Sequence, residues 1–307
     1  MNRLYFPFVN VTLLLFAGLA YSGETDSSLS NPYVASYPFK SAVIHYTIKN
    51  EYGHGKISKG TEIVYIKGDR LAKVTKMAVP DPKGKDKIKN IETLQIFTPD
   101  YIYMVDLVEK TGIKIDNPRK YTKPAYDKLS DEEKKAFHER MDKRGIVSLD
   151  LLGLGKKIGT DTLLGRKCDI YQSGEELSPE KLQEALESEE DSFYMKSWVW
   201  RTAVVLKVIK VITSGLGWSN ELIATKIEEN VRIPDSRFTV PSDISDIKVT
   251  YDKAKSEFAK QEALVRFELY KTGKPMVVMM KLKREEIKPK GNSKAGESNQ
   301  KSQENQR

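Results

Sequence analysis

The chain has 307 residues, enough for a substantial hydrophobic core, and its 51 basic and 43 acidic side chains give a formal net charge of +8. The basic residues are scattered along the chain and form no recognisable nucleic-acid motif, so we expect no nucleic-acid partner. Scattered positive charge is typical of a solvated surface, and it also favours peripheral contact with an anionic membrane surface.

The N-terminus has the organisation of a secretory signal peptide. Arg3 precedes an apolar run over Val9–Ala20, and Ala20 and Ser22 supply the small residues of a cleavage site. The run is short for a membrane span, although an uncleaved N-terminal anchor is the alternative interpretation. The pattern predicts that residues 1–22 direct export and are removed, and that residues 23–38 form a flexible lead-in.

The first half of the remaining chain has the alternation of β-strands. From Ala42 to Ile48, apolar residues at even positions alternate with a mixed set, which predicts one apolar face and one mixed face. Further strand-like runs occur at Glu62–Lys67, Arg70–Val79, Ile88–Thr98, Tyr101–Val108 and Gly112–Asp116. Turn residues separate these runs without intervening helices, so the pattern predicts an antiparallel meander.

Helical signals interrupt the second half. Ser130–Glu133 is a capping box that predicts a helix after Ser130, and shorter helices are predicted over Val147–Lys156 and Ser178–Glu189. Strands are predicted at Asp161–Leu164, Arg166–Gln172, Tyr194–Arg201, Val204–Thr213 and Asn220–Arg232. Helical spacing returns over residues 251–271, with the candidate buried positions Tyr251, Phe258, Ala263, Phe267 and Tyr270.

These elements predict an α+β fold in which an antiparallel β meander forms an incomplete, half-open barrel, with inserted helices as a lid and a C-terminal helical extension. We expect the barrel domain over residues 39–250 and a helix with an apolar segment over 251–285. The polar residues 286–307 are expected to be a disordered tail. The apolar run Pro275–Met280 is interpreted as an edge strand or packed helix, or alternatively as a partner-binding element.

Residues with catalytic chemistry are few and far apart in the sequence. His45, His54 and His138 match no metal-binding spacing, and no nucleophile motif is visible. Cys168, the one cysteine, has no histidine near it in sequence and is interpreted as a packed core residue. We therefore expect no enzymatic activity, no catalytic or metal site and no cofactor.

The succession Trp198-Val199-Trp200, Leu206-Lys207, Ala224–Asn230 and Phe238–Pro241 resembles the outer-membrane lipoprotein-sorting superfamily, the LolA/LolB-like proteins. The resemblance implies the same incomplete barrel with a helical lid, a periplasmic location and a cavity that accommodates acyl chains by hydrophobic contact alone. It implies no particular ligand-contacting residue, because the matching motif is structural.

Apolar residues two apart in a strand point the same way, and nine such residues are the candidates for the concave face. They are Ile44, Tyr46, Ile63, Tyr65, Leu94, Ile96, Tyr103, Trp198 and Trp200. The same residues are also explained as core that packs against the helices, because burying each one is favourable by about 1.5–3 kcal/mol without a ligand.

Two functions remain open from the sequence. The first is an exported, periplasmic, non-enzymatic binding protein that takes an acyl chain or a lipidated protein partner on its concave face. The second is an envelope protein-interaction or stress-sensing module that has the same fold and a filled core. The resemblance supports the second as well, because the periplasmic regulator of the sigma-E anti-sigma factor shares this fold.

Overall fold

One mostly antiparallel sheet of twelve strands organises the described chain, together with three α-helices. The structure is a computed structural model, and it describes residues 31–34, 37–52, 56–80, 88–143, 155–175, 193–201, 204–212, 218–241 and 246–274. The strands are β1 (Ser41–Tyr52), β2 (Lys56–Lys67), β3 (Arg70–Pro80), β4 (Ile88–Phe97), β5 (Tyr101–Asp106), β6 (Thr111–Asp116), β7 (Lys156–Leu163), β8 (Arg166–Ser173), β9 (Phe193–Trp200), β10 (Val204–Ile212), β11 (Trp218–Glu229) and β12 (Lys248–Tyr251). The helices are α1 (Arg119–Asp127), α2 (Asp131–Lys143) and α3 (Lys253–Thr272), and a 3₁₀ helix covers Asp235–Phe238.

The strands follow the order β12-β6-β5-β4-β3-β2-β1-β11-β10-β9-β8-β7, so β12 and β7 are the edge strands of the described sheet, which is not closed into a barrel. Strand β1 lies near the middle, between β2 and β11, and it pairs with β11 along its length from Ala42–Glu229 to Tyr52–Trp218. The pairing of β12 with β6 is parallel. The predicted α+β open barrel is confirmed.

Cross-strand partners project from the same face of a sheet, so the register assigns each side chain to a face. We call inner the face that carries Ala42, Ile44, Tyr46 and Ile48 of β1, and outer the opposite one. The inner-face core continues through Val64 and Ile66 on β2, Leu71 on β3, Phe97 on β4, Ile102 on β5 and Ile115 on β6. On the other side of β1, Leu222 and Val208 carry it onward.

The outer face of the first five strands is covered by the chain that follows β11, residues 231–241, which we call the crossing segment. Its Ile233 and Phe238 are buried against outer-face residues of β3, β4 and β5, among them Ala72, Ile96 and Val105. Asp235 pairs with Lys67 at 2.8 Å and with Arg70 at 2.9 Å, which fastens the 3₁₀ helix to the sheet.

The three helices share a second core. Phe137 of α2 packs edge-on against Tyr126 of α1, with ring centroids 5.3 Å apart, and against Tyr270 of α3, at 5.5 Å. Helix α3 begins at the N-cap Asp252, whose carboxylate accepts from the Lys255 N–H at 2.9 Å. None of the helices in the described residues is long and apolar enough to span a membrane.

Several local predictions were right and others were incomplete. The capping box is confirmed, because the Glu133 N–H donates to Ser130 Oγ at 3.2 Å and the Ser130 N–H donates to the Glu133 carboxylate at 2.9 Å. Helix α1 was not predicted, since Pro124 within nine residues argues against a helix, and burial of Tyr126 overrides that local preference. The parallel strand β12 was also missed.

The buried pattern predicted for residues 251–271 needs a correction. Phe267 and Tyr270 are buried as expected, but Tyr251 is 48% exposed and Phe258 is 70% exposed. Tyr251 ends β12 instead of starting the helix, and α3 contacts α1, α2 and β6 through residues that lie elsewhere on its surface. Several predicted segments lie outside the described residues: the signal peptide, Ser178–Glu189, Pro275–Met280 and the tail. Most of the predicted helix Val147–Lys156 also lies outside them, but its last residue is wrong, because Lys156 begins strand β7.

We expect Phe238→Ala to lower the free energy of unfolding by about 3–5 kcal/mol, because it removes the largest apolar side chain that the crossing segment buries. Urea unfolding followed by tryptophan fluorescence measures the change. The neighbouring Ser236→Ala is the control, since Ser236 is exposed and its replacement should change stability by no more than about 0.5 kcal/mol. Equal losses in both variants would contradict the packing described above.

Candidate functional site

The inner face carries a small pocket at the middle of the sheet. It is lined by five neighbouring strands and by Tyr37 of the lead-in, so the face is concave there; the lining residues are Tyr37, Ile44, Tyr46, Glu62, Val64, Ile66, Leu71, Val204, Val205 and Leu222. Its volume is about 30 Å³. That is room for a water-sized group.

Tyr46 spans the floor of this pocket. Its hydroxyl donates to the Val205 carbonyl at 2.8 Å, which joins β1 to β10 across the intervening β11. The carbonyl belongs to an irregular pair, because the register of β9 and β10 shifts between Val205 and Lys207. Burial raises the pKa of the Tyr46 phenol, so the hydroxyl remains a neutral donor.

A buried ion pair lies next to Tyr46 on the inner face. Lys73 Nζ is 3.7 Å from the Glu62 carboxylate, whose second oxygen accepts from Thr75 Oγ1 at 2.8 Å. Both charged side chains are buried. Because each oxygen of Glu62 has a partner, this charge is compensated inside the protein and is not available to a ligand.

Toward the far end of the inner face the side chains become polar. Asn220 Nδ2 donates to Asn50 Oδ1 at 2.7 Å, and these two residues are cross-strand partners. The next residue in this row is Lys210, which lies opposite Asn220 and is 8% exposed. One row closer to the pocket lies Ser197, which is 0% exposed.

Lys210 and Ser197 both have unused hydrogen-bonding capacity. The ammonium of Lys210 is 5.7 Å from the ring centroid of Phe193 and 5.8 Å from that of Trp218, and it has no hydrogen bond or ion pair among the described residues. Burial lowers the pKa of this ammonium below the ordinary lysine value. In the same described part of the chain, Ser197 Oγ has no hydrogen-bond partner.

The two predicted tryptophans have the outer-face parity of β9 by register, but both belong to the same core cluster as Ile44 and Tyr46, and the ring centroid of Trp200 lies 6.1 Å from that of Phe39. Trp198 Nε1 donates to Asp161 Oδ2 at 2.9 Å, and its ring lies 5.0 Å from the ammonium of Lys207, its cross-strand partner. Trp200 follows the same parity and has the guanidinium of Arg166 4.9 Å from its ring centroid. These contacts account for the indole N–H of Trp198 and cover both rings with cationic side chains.

The structure divides the nine predicted site residues between the two faces. Ile44 and Tyr46 are on the inner face, at the pocket. By register, the other seven have outer-face parity: Ile63, Tyr65, Leu94, Ile96, Tyr103, Trp198 and Trp200. Trp198 and Trp200 nevertheless pack in the same core cluster as Ile44 and Tyr46, whereas Tyr65, Leu94, Ile96 and Tyr103 pack in the cluster of the crossing segment. Parity within each strand was therefore read correctly, but no single surface brings all nine together, and their role in lipid binding stays a prediction.

Lys210 and Ser197 were not singled out from the sequence, although β10 contains a usable signal. Lys207 and Lys210 are three residues apart in one strand, so they point to opposite faces. One of these two lysines therefore lies on the inner face of the sheet in any register. The spacing could not show which one, because that depends on the register with β9 and β11.

The remaining reactive groups have structural surroundings. Cys168 is buried and its Sγ donates to the Arg166 carbonyl at 3.4 Å, and burial raises the pKa of the thiol. His138 Nε2 shares a hydrogen bond of 2.7 Å with the Tyr126 hydroxyl. The described residues contain no group of three or more side chains able to hold a metal ion, and His54 lies outside them.

We expect Lys210→Met to raise the free energy of unfolding by up to about 1 kcal/mol, because it replaces a largely buried lysine whose ammonium has two aromatic rings and no oxygen acceptor beside it among the described residues. The folded state binds this proton less tightly than the unfolded state does. Stability of the original protein should therefore rise with pH from the lowered pKa up to the ordinary value of 10.5, and this rise should be smaller in the variant.

Urea titrations at several pH values measure both effects. Lys207→Met is the matched control, because Lys207 lies on the same strand but faces outward and pairs with Glu221 at 3.4 Å. Its removal should change stability by no more than about 1 kcal/mol. A loss of stability in Lys210→Met would show that the ammonium has a favourable partner after all.

No protein-family model and no curated protein sequence matches this chain significantly. Among solved structures, the chain is similar to a DUF1329 family protein from Desulfovibrio piger, with 12% identity, a TM-score of 0.30 and coverage of 66% of this chain and 90% of that one. It is similar to lipoprotein LppX of Mycobacterium tuberculosis, with 15% identity, a TM-score of 0.27 and coverage of 64% and 91%. A LolA superfamily protein from Nitrosomonas europaea is 10% identical, with a TM-score of 0.24 and coverage of 71% and 99%. Likenesses of this strength carry no argument about what this chain binds.

Proposed function

We propose that this chain is an exported, non-enzymatic binding protein that accommodates an acyl chain, free or attached to a lipidated partner, on the inner face of its open sheet. The observation that carries the proposal is the order of side chains along that face. Apolar residues around Ile44 and Leu222 form a concave pocket, and the face then becomes polar at Asn220 and Lys210. An amphiphile has the same order of apolar and polar parts.

Binding a chain requires the inner face to open. The pocket of about 30 Å³ is far smaller than the roughly 300–1,000 Å³ of a typical small-molecule site. Tyr37 is the lining residue that belongs to no helix or strand, so it is the side chain whose displacement disturbs the sheet least. On this proposal the lead-in around Tyr37 moves when the chain enters.

Native mass spectrometry of the full chain exported to a bacterial periplasm, followed by denaturing lipid extraction, tests the proposal. We expect extra mass that is released as fatty acid or phospholipid. Val64→Phe should reduce that mass, because it fills the pocket, and its own overpacking costs about 1–3 kcal/mol of stability.

Val74→Phe is the control, because Val74 lies on the neighbouring strand and packs on the outer face. It should keep the bound lipid. If the unchanged protein has the mass of the polypeptide alone, with no bound lipid, the acyl-chain proposal is overturned. Equal loss of lipid in both variants would show that the inner pocket is not the site.

A second candidate function is a protein-interaction module with a filled core, and a specific observation favours it. Tyr251 and Phe258 are large apolar side chains that are 48% and 70% exposed, on the strand and the helix that end the described chain. Exposed aromatic residues of this kind are common at protein–protein contacts. The small volume of the inner pocket is consistent with the same idea.

A photo-crosslinking amino acid in place of Phe258 tests this second function. In envelope extracts we expect an adduct with one discrete protein, and that adduct should disappear when Tyr251 is changed to Ser. The control position is Ile88, which is equally apolar and 73% exposed but lies on β4. The same adducts from both positions would contradict a specific interface at Phe258.

A further inference from the structure

Lys210 lies on the inner face, where burial of a charged ammonium group is energetically unfavourable. It lies within the sheet, opposite Asn220 on β11 and Met195 on β9. Only 8% of its surface is exposed, so its aliphatic stem is buried and its ammonium keeps only a small contact with solvent. The partners of the ammonium among the described residues are the rings of Phe193 and Trp218.

The surroundings of Lys210 suit a cation only in part. The ring centroids of Phe193 and Trp218 are each within 6 Å of the ammonium, and their π-electrons attract it. Ring faces do not accept the three N–H groups as oxygen atoms do, so the charge remains under-compensated. Burial accordingly lowers the pKa of the group. The contrast with Lys73, which has Glu62 beside it, is clear on the same face.

A second unsatisfied group lies next to Lys210. Ser197 pairs with Val208, two residues before Lys210 on β10, so Ser197 and Lys210 are diagonal neighbours on one face. Diagonal neighbours in a sheet are about 7–8 Å apart at the backbone, within reach of a lysine side chain. The Ser197 hydroxyl is completely buried and has no partner among the described residues. An ammonium and a hydroxyl therefore share one region, both able to donate and neither of them doing so to an acceptor.

We propose that Lys210 and Ser197 form an anion subsite on the inner face, which binds the carboxylate or phosphate head of a single-chain amphiphile. This inference rests on the proposed function and specifies its ligand class. An oxyanion can accept hydrogen bonds from the ammonium and from the hydroxyl at the same time. Its negative charge also balances the positive charge of Lys210. Phe193 and Trp218 then flank the head group.

The orientation of the ligand follows from the register. Leu222, which lines the apolar pocket, is two residues from Asn220 on the same face of β11. Two residues of strand cover about 7 Å. The head group at Lys210 is thus adjacent to the pocket, and the alkyl chain runs from Lys210 past Leu222 toward Ile44, along the strands.

Displacement of a neutral fluorescent probe, N-phenyl-1-naphthylamine, from the full chain compares three ligands with the same alkyl length. They are palmitate, hexadecyl phosphate and hexadecanol. We expect at least one anionic ligand to bind about tenfold or more tightly than the alcohol, because a charge-assisted hydrogen bond in a buried site contributes at least that much. A preference for palmitate assigns the site to fatty acids, and a preference for hexadecyl phosphate assigns it to phosphate-headed lipids.

Variants show which residues are responsible for the preference for the anionic ligand. Lys210→Met should weaken the preferred anion about tenfold and leave hexadecanol unchanged, whereas Lys210→Arg should keep most of the preference because it keeps the charge. Ser197→Ala should cause a smaller loss for the anion alone. Lys207→Met is the matched control on the opposite face of the same strand, and it should behave as the unchanged protein.

The experiment distinguishes failure of the anion subsite from failure of the proposed function. If all three ligands bind and Lys210→Met retains the preference for the anion, or if no such preference exists, the anion subsite is overturned while acyl-chain binding stands. If none of the ligands displaces the probe from the unchanged protein, the proposed function is overturned and the subsite with it. Urea unfolding of each variant shows that a loss of binding is not a loss of folding, and Lys210→Arg and Ser197→Ala carry the test if Lys210→Met does not fold.

Discussion

The pairing of β1 with β11 is the interaction on which the rest of the structure depends. It joins residues as far apart in sequence as Ala42 and Glu229, and without it β2–β6 and β7–β10 would be separate sheets. Bringing such distant segments together is entropically costly, and eleven consecutive residues of β1 with partners in β11 offset that cost. Because a shift of one residue would exchange the two faces, this register also decides which side chains meet inside.

Once the register is set, the two faces are buried by different means. The crossing segment packs Ile233 and Phe238 onto the outer face of the first strands, and the ion pairs of Asp235 hold it in place. The inner face is covered by apolar side chains of the sheet itself and by the lead-in residues Tyr37 and Phe39, whose rings stack 5.5 Å apart. The inner cover thus depends in part on a short segment that is neither helix nor strand.

Some polar groups of the inner face have partners within the protein and others do not. Glu62, Lys73 and Thr75 satisfy one another, and Asn50 pairs with Asn220, so these groups are explained by folding alone. Lys210 and Ser197 are not explained in that way, because the Ser197 hydroxyl is fully buried without a partner and the Lys210 ammonium has aromatic rings but no oxygen acceptor beside it among the described residues. A buried hydroxyl without a partner weakens the fold, and an anion bound beside Lys210 would supply the missing acceptor.

Local pattern was enough to predict the class of fold, most strands and the capped start of α2, because strand alternation, turn residues and capping boxes act over a few neighbouring residues. Pattern also placed Trp198 with Trp200 and Leu94 with Ile96 on common faces, since side chains in a strand repeat every two residues. It could not place those pairs relative to Ile44 and Tyr46, because the register between distant strands is a tertiary property. For the same reason, the two-residue repeat of a strand separates Lys207 from Lys210 onto opposite faces but does not say which face is which. Only the tertiary structure decided that Lys210 lies on the inner face, because its partners Asn220 and Met195 lie there, where no oxygen acceptor among the described residues meets the ammonium.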